Sequence, residues 1–325
     1  MQGWVCSELA GADALRWQTL ALPEPGAGEL RVAIHAASLN FPDLLVVEGK
    51  YQIKPPLPFV PGAEFAGRVE AVGPGVTGWA VGDALAVIGS HGGFATHALI
   101  KAAGALPLPQ GFDLGDGAAF AFTYGTSHHA LIDRGRLRAG ETVLVLGAAG
   151  GVGSAAVQIA RAAGARVIAA ASSAEKCDFC RTLGADATID YGRENLREAL
   201  KALTGGHGPD IVYDPVGGAL AEPAFRSIAW RGRYLVVGFA AGAIPALPWN
   251  LALLKGAEIV GVFWGDFVRR EVAAHEAAMA ELARWHAQGR VKPAIAQRLP
   301  MSELPEAYRT MASRRVLGKL LLVNK

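Results

Sequence analysis

Gly147, Gly150, Gly151 and Gly153 crowd into the segment 142–153, TVLVLGAAGGVG. Glycines so close together let the chain turn tightly and bring backbone N–H groups up to a bound anion. In front of them Thr142, Val143, Leu144, Val145 and Leu146 form a short β-rich apolar run, as in a strand buried on both faces. Behind them Val157, Ala160 and then Ala163 or Gly164 recur at helical spacing. Strand, glycine turn and helix in that order is the context of a dinucleotide fingerprint. The free N–H groups and the positive end of the helix dipole together suit a pyrophosphate. In the pattern G-x-G-x-x-G, Ala148 stands in the first place, with Gly150 and Gly153 in the others, so the turn departs from the strict form.

The elements that must position this turn follow in order. Residues 165–172 (ARVIAAAS) read as a second strand and 174–183 as a helix. A third strand over 187–190 and another helix over 194–203 come next; 210–214, 233–239 and 258–263 supply three more strands. Strands alternating with helices specify a parallel sheet covered on both faces, and six of them in two halves make a complete dinucleotide-binding domain. Residues 1 to about 115 read differently, with short β-like runs at 30–36, 64–72, 82–88 and 93–100 broken by Gly and Pro. They predict an antiparallel, barrel-like domain. A long amphipathic helix is predicted over 268–288, and a last strand over 316–323. The expected organisation is α/β, with a parallel nucleotide-binding domain (120–265) inserted into a β-rich domain made of 1–119 and 266–325.

Bulk properties narrow the class. With 325 residues, 51% hydrophobic and 18% charged, the chain is a well-packed globular protein of two domains. Its 31 basic and 29 acidic residues are interspersed, so no basic stripe suggests nucleic acid. The first residues, MQGWVCSELAG, lack the charged-then-apolar pattern of a secretory signal, and Arg161 and Arg166 interrupt the most apolar region. A cytoplasmic protein without a membrane partner is expected. Cys177 and Cys180 form a C-x-x-C inside a helix, where packing is the expected role.

The stretches ASLNFPDLLVVEGKYQ (37–52), PFVPGAEFAG (58–67), AAGGVGSAAVQIA (148–160), DIVYDPVGG (210–218) and LGKLLLV (317–323), in this order, carry a resemblance. The chain resembles the medium-chain dehydrogenase/reductase superfamily, specifically its zinc-free, zeta-crystallin-like quinone oxidoreductase branch. That implies a GroES-like catalytic domain with an inserted Rossmann domain. Zinc-dependent relatives carry a Cys ligand just before an aspartate and a His in a Gly-His-Glu stretch. Here Asn40, Phe41 and Pro42 precede Asp43, and the second stretch reads Gly62-Ala63-Glu64. Three scattered thiols cannot build a cysteine-rich zinc loop either, so no metal is expected.

An NAD-specific site places an acid roughly 20 residues past the glycines. Ser172 and Ser173 stand there instead, with Lys176 just after, and an ammonium attracts a 2′-phosphate that an acid would repel. Ser172 with Glu175 also reads as a capping box. The resemblance implies that Ser172, Lys176 and Tyr191 hold the 2′-phosphate, making NADPH the expected cofactor. It further implies that Thr126, Gly150, Gly151, Val152 and Gly153 contact the nicotinamide end and the pyrophosphate. Phe239, Phe263 and Trp264 would border the nicotinamide, and Lys319 would reach the cofactor.

By the same resemblance, Asn40 and Tyr51 are the catalytic candidates. A quinone accepting hydride develops negative charge on oxygen, and a phenol with its ordinary pKa of about 10 is still protonated to donate to it. Asn40 would fix the carbonyl through its amide N–H; alternatively it holds its own loop. Tyr51 could equally pack over Pro55 and Pro56. The implied activity is NADPH-dependent reduction of a quinone, with a small-molecule enone or enoyl thioester as the alternative acceptor and a non-catalytic NADPH-binding role as a third reading. The late strand over 258–263 is expected to pair with its copy in a homodimer.

Overall fold

The computed structural model describes residues 1–109 and 111–324. They form two compact units, Met1–Phe122 with Pro293–Lys325, and Thr123–Lys292.

The second unit is built on a six-stranded sheet. Its order across the sheet is Ala187–Asp190, Arg166–Ala171, Thr142–Leu146, Ile211–Asp214, Arg233–Val236 and Glu258–Gly261, and every neighbouring pair is parallel. Strand order reverses between Thr142–Leu146 and Ile211–Asp214, and ligands of such sheets bind at the carboxyl ends beside that reversal. Val143, Leu144, Val145, Val167, Ile168 and Val212 are fully buried, which is why these strands read as continuous apolar runs. The helix Gly151–Ala162 covers them with Val157, Ile159 and Ala160.

One stretch differs from expectation. The long helix predicted over 268–288 is two helices, Trp264–Arg270 and Val272–Ala287, separated by the non-helical backbone of Glu271. Both belong to the second unit, so the boundary lies at 292/293 and not at 265/266. The Gln158 side chain explains the attachment. Its Nε2 donates to the Lys292 carbonyl (3.0 Å) and its Oε1 accepts from the Lys292 N–H (2.7 Å), clamping the segment's end to the helix after the glycine turn.

The first unit centres on a seven-stranded sheet. Ile295–Pro300, Lys319–Val323, Glu29–Leu39, Glu64–Val72, Ala84–Ile88 and Ala105–Pro107 lie in that order, and His97–Lys101 also pairs with Glu29–Leu39. All pairings are antiparallel except the first. Leu30, Val32, Phe65, Leu85, Phe94, Leu320 and Leu322 fill its core. In its register Leu320 lies opposite Leu39, and Ser38 lies opposite Glu64. Among the described residues no helix is long and apolar enough to cross a membrane.

Candidate functional site

The glycine turn caps the strand Thr142–Leu146 in the second unit. Gly147 has φ +58°, and Gly150, extended at φ −81° and ψ 176°, begins the helix. No side chain caps this helix end. The first N–H groups of the helix, at Gly151, Val152 and Gly153, have no carbonyl a turn earlier to bond, so they face outward as anion donors. Gly153 is required by packing: a Cβ there would lie 2.3 Å from the Gly147 carbonyl oxygen and 2.8 Å from Ala148 Cα. The third glycine of the motif is thus what lets the helix start press onto the turn.

Two supports that the sequence did not reveal hold the turn. Ser127 Oγ donates to the Val152 carbonyl (2.9 Å) and lies 2.9 Å from the Tyr213 hydroxyl. Serine has a single hydroxyl hydrogen, so Tyr213 is the donor in that second bond. Burial pushes the Tyr213 pKa up, keeping its hydrogen in place. Asp214 accepts from the N–H groups of Val216 and Gly217 (both 2.8 Å) and from Tyr234 Oη (2.6 Å). This shapes a loop whose Val216 packs against Gly147, where a Cβ would lie only 2.7 Å away. The Asp-Pro-x-Gly-Gly spelling of that loop was the available signal.

The structure brings Ser172, Lys176 and Tyr191 together. Lys176 Nζ donates to Ser172 Oγ (2.9 Å), and the Tyr191 N–H bonds the Ala171 carbonyl at the end of the neighbouring strand (3.0 Å). Ser173, not Ser172, caps the helix Ala174–Thr182, accepting from the Lys176 N–H. The capping box read at Ser172 is therefore one residue off, and the Ser172 hydroxyl is left to the lysine. Asp190, the closest acid on these strand ends, is buried and accepts from the Gly192 N–H (3.0 Å).

The aromatic candidates differ among themselves. The Phe239 ring covers Gly217, where a Cβ would meet it at 2.9 Å. Phe263 is exposed. Trp264 is buried, its indole packed on Gly125 and edge-on to His275 (5.8 Å). Thr126, also buried, follows Gly125 in the helix Leu114–His128. Cys177 and Cys180 are free and buried inside their helix, and burial pushes Cys180 up to about 12, so neither has thiolate character at neutral pH.

In the first unit Asn40 and Lys319 meet. Lys319 Nζ donates to Asn40 Oδ1 (2.5 Å) and to Glu64 Oε2 (3.2 Å). Since an ammonium can only donate, this orients the Asn40 amide, whose Nδ2 then donates to Glu64 Oε2 (3.1 Å) and Ser38 Oγ (3.3 Å). Ser38 Oγ donates to the same carboxylate oxygen (2.5 Å), and Glu64 Oε1 accepts from the Phe122 N–H (2.8 Å). Glu64 is 0% exposed and Lys319 3%. The amide of Asn40 has spent both its hydrogens within this cluster, so in this arrangement none is left for a substrate carbonyl. Asn40 also starts the helix Phe41–Val47. Glu64 and Ser38 were not singled out from sequence, where they are an ordinary strand acid and hydroxyl.

Asp43 completes the cluster. Its carboxylate accepts from the N–H groups of Asn40 (2.8 Å) and Ala63 (3.1 Å), yet burial outweighs these bonds and the Lys319 charge and pushes it up to about 7. Tyr51 is half-buried against the core, and burial, then the negative field of Asp43, pushes its phenol up. It is therefore fully protonated at neutral pH. For Asp43, a folded-state value above the unfolded 3.8 means that the fold holds this proton more tightly than the unfolded chain does. The cost of keeping Asp43 in the fold is absent below about pH 4, grows as pH rises and is complete above about pH 7. Relative to Asp43→Asn, the wild-type melting temperature is expected to rise as pH is lowered from 8 to 5; parallel curves in scanning fluorimetry would contradict this.

A parallel dinucleotide-type sheet with a glycine turn, inserted into a chain that otherwise builds a mostly antiparallel sheet, defines a class of two-domain dehydrogenases and reductases. Residues 26–110 match the family model of the alcohol dehydrogenase GroES-like domain, and residues 151–283 that of zinc-binding dehydrogenase. The quinone oxidoreductase-like protein 2 homolog of Nematostella vectensis is 36% identical over 99% of this chain and 88% of its own length. A probable oxidoreductase from Mycobacterium abscessus superposes with a TM-score of 0.90 at 36% identity, covering 100% of this chain and 99% of its own. Escherichia coli quinone oxidoreductase, solved in complex with NADPH, gives 0.92 at 28% identity with both chains covered in full. The chain belongs to the medium-chain dehydrogenase/reductase superfamily, among its quinone oxidoreductase-like members.

The zinc of the matched family model does not fit the residues present. Ala63 offers no donor atom, and the carbonyl oxygen of Asn40 already holds the Lys319 ammonium, whose charge would repel a dication. Among the described residues no three His, Cys, Asp or Glu side chains converge as a metal site would need.

Proposed function

We propose that the chain is an NADPH-dependent oxidoreductase that reduces a small electron-poor acceptor, a quinone, without a metal. The observation that carries the cofactor choice is the Lys176–Ser172 pair (2.9 Å) at the end of the second strand, where an NAD-specific site would place an acid. Tyr191, just past the end of the next strand, and the N–H groups of Gly151, Val152 and Gly153 complete a set suited to a phosphorylated dinucleotide. Lys176→Ala is expected to weaken NADPH binding by about tenfold to a hundredfold, the worth of a charge-assisted hydrogen bond, and to leave NADH binding unchanged. Fluorescence titration with both coenzymes checks it; equal losses would count against the assignment.

When bound, NADPH supplies the hydride. The chain's own residues hold and orient it, and Tyr51 donates its phenolic proton toward the oxygen on which charge develops. Phe239, Phe263 and Trp264, with Thr126, are assigned to the nicotinamide side, and Asn40 to holding the Tyr51 side in shape. Tyr51, protonated as it is, could equally deliver its proton to carbon, so reduction of an activated C=C bond in an enone or enoyl thioester is the second reading. Parallel NADPH-oxidation assays with a naphthoquinone and a crotonyl thioester separate the two; binding without turnover on either would leave only an NADPH-binding role. Free cysteines throughout suit a reducing, cytoplasmic setting.

The assembly proposed is a homodimer. Glu258–Gly261 is the last strand of its sheet, Ile259 on it is exposed, and Leu253 and Leu254 on the preceding helix Asn250–Lys255 are 79% and 65% exposed. An open edge with apolar neighbours is a pairing surface. Light scattering is expected to give twice the chain mass for wild type and the single chain mass for Ile259→Glu. A wild-type monomer at micromolar concentration would reject this assembly.

A further inference from the structure

We infer that Lys319 is the positioning residue of the acceptor side of the site, pinning the segment that carries Asn40 and, through it, Tyr51. The inference rests on the proposed function for what Tyr51 does, but its geometric part stands without it.

The sheet register makes the contact. Leu320 pairs with Leu39, so Lys319 stands opposite Asn40 at the point where the strand Glu29–Leu39 gives way to the helix Phe41–Val47. On the other side, Ser38 pairs with Glu64. Three neighbouring strands therefore deliver an ammonium, an amide with a hydroxyl, and a carboxylate to one spot. Lys319 is the only polar side chain of its strand, KLLLV, and it is buried there. Burying a lone ammonium is costly, and the cost is offset only by good partners. Asn40 Oδ1 at 2.5 Å and Glu64 Oε2 at 3.2 Å are those partners. A lysine so engaged is neutralised before any nucleotide arrives, which disfavours the direct cofactor contact that the resemblance implied.

The link to Tyr51 runs along the chain. Asn40 begins the helix, its N–H bonded to Asp43 Oδ2 (2.8 Å) and its carbonyl accepting from the Asp43 N–H (3.0 Å). One helix later Gly49, at φ +67°, bonds Val46, and the Lys50 N–H bonds the Leu45 carbonyl, ending the element immediately before Tyr51. A short helix held at its first residue by a buried cation sets where its last residue leads. Displacing a donor by about 1 Å can cost about a hundredfold in rate.

The experiment compares the full chain as wild type, Lys319→Met, Lys319→Arg and the double variant Glu64→Gln/Lys319→Met. Lys319→Met is expected to keep NADPH affinity, by fluorescence titration, within about twofold of wild type. Its kcat with whichever naphthoquinone or enone the wild type reduces should fall about a hundredfold, with Lys319→Arg regaining most of it. Hydrogen exchange should quicken across residues 40–51 while the strand Thr142–Leu146 keeps its protection. Should Lys319→Met fail to fold, the double variant, free of both buried charges, is read in its place with the same expectations. A raised NADPH dissociation constant with unchanged kcat would make Lys319 a cofactor contact and overturn the inference. Unchanged exchange over residues 40–51 would overturn it as well. Wild-type protein that turns over no acceptor, with the exchange difference intact, would instead defeat the functional reading and leave the positioning role standing.

Discussion

Glu64→Ala is expected to lose about 3–5 kcal/mol of stability, the range for breaking a buried ion pair from one side. Three groups donate to Glu64 Oε2: the Lys319 ammonium, the Asn40 amide and the Ser38 hydroxyl; the Phe122 N–H donates to Oε1. Removing the carboxylate leaves all four without that acceptor and strands a cation that is 3% exposed. The exposed counterpart shows the contrast. Lys101 and Glu29 sit at 2.8 Å, but the lysine side chain is 73% exposed, and such a pair contributes about 0–1 kcal/mol. Urea unfolding of Glu64→Ala and of Glu64→Gln/Lys319→Met checks the attribution. The double variant should recover most of the loss, since it removes both charges, and a double variant as unstable as Glu64→Ala would place the cost in packing instead.

Gly153→Ala is expected to weaken NADPH binding by at least about a hundredfold and to cost about 1–3 kcal/mol of stability, as overpacking does. The added Cβ would fall 2.3 Å from a backbone oxygen that cannot rotate away, so the helix start must lift off the turn. That moves the N–H groups of Gly151, Val152 and Gly153 out of register with a pyrophosphate and strains the Ser127–Val152 bond. Gly150→Ala is the control. Its Cβ would lie 3.4 Å from the same oxygen, an ordinary contact, so the protein should keep its stability and lose only what the methyl takes from the ligand's approach. Isothermal titration with NADPH beside thermal melts separates the two variants. A Gly153→Ala protein with wild-type affinity would remove the turn from the binding site.

Both variants bear on how far the residues could be read in advance. Gly153 was legible because its reason is local: a strand, a turn and a helix within twelve or so residues. The parallel sheet was legible too, since alternating apolar strands and helices with right-handed crossovers leave few possible orders. The helix after residue 264 was misassigned to the first unit because periodicity shows which face of a helix is apolar and not which core receives it. Gln158, which ties that segment down through Lys292, reads in sequence as one more helix polar residue.

The chain's own order thus determined the strands and the glycine turn of the nucleotide-binding half, because each of these elements is made from neighbours in sequence. The Ser172–Lys176 pair is of this kind, one helical turn apart. The cluster around Glu64 is not. Lys319 reaches Asn40 across 279 residues and Glu64 across 255, and only antiparallel register lays those strands side by side. A lysine in an apolar strand, an asparagine before a short helix and a strand glutamate carry no mark of one another in the sequence. Their shared burial, which gives the cluster its strength, comes from the folded sheet, where charges removed from water must find each other.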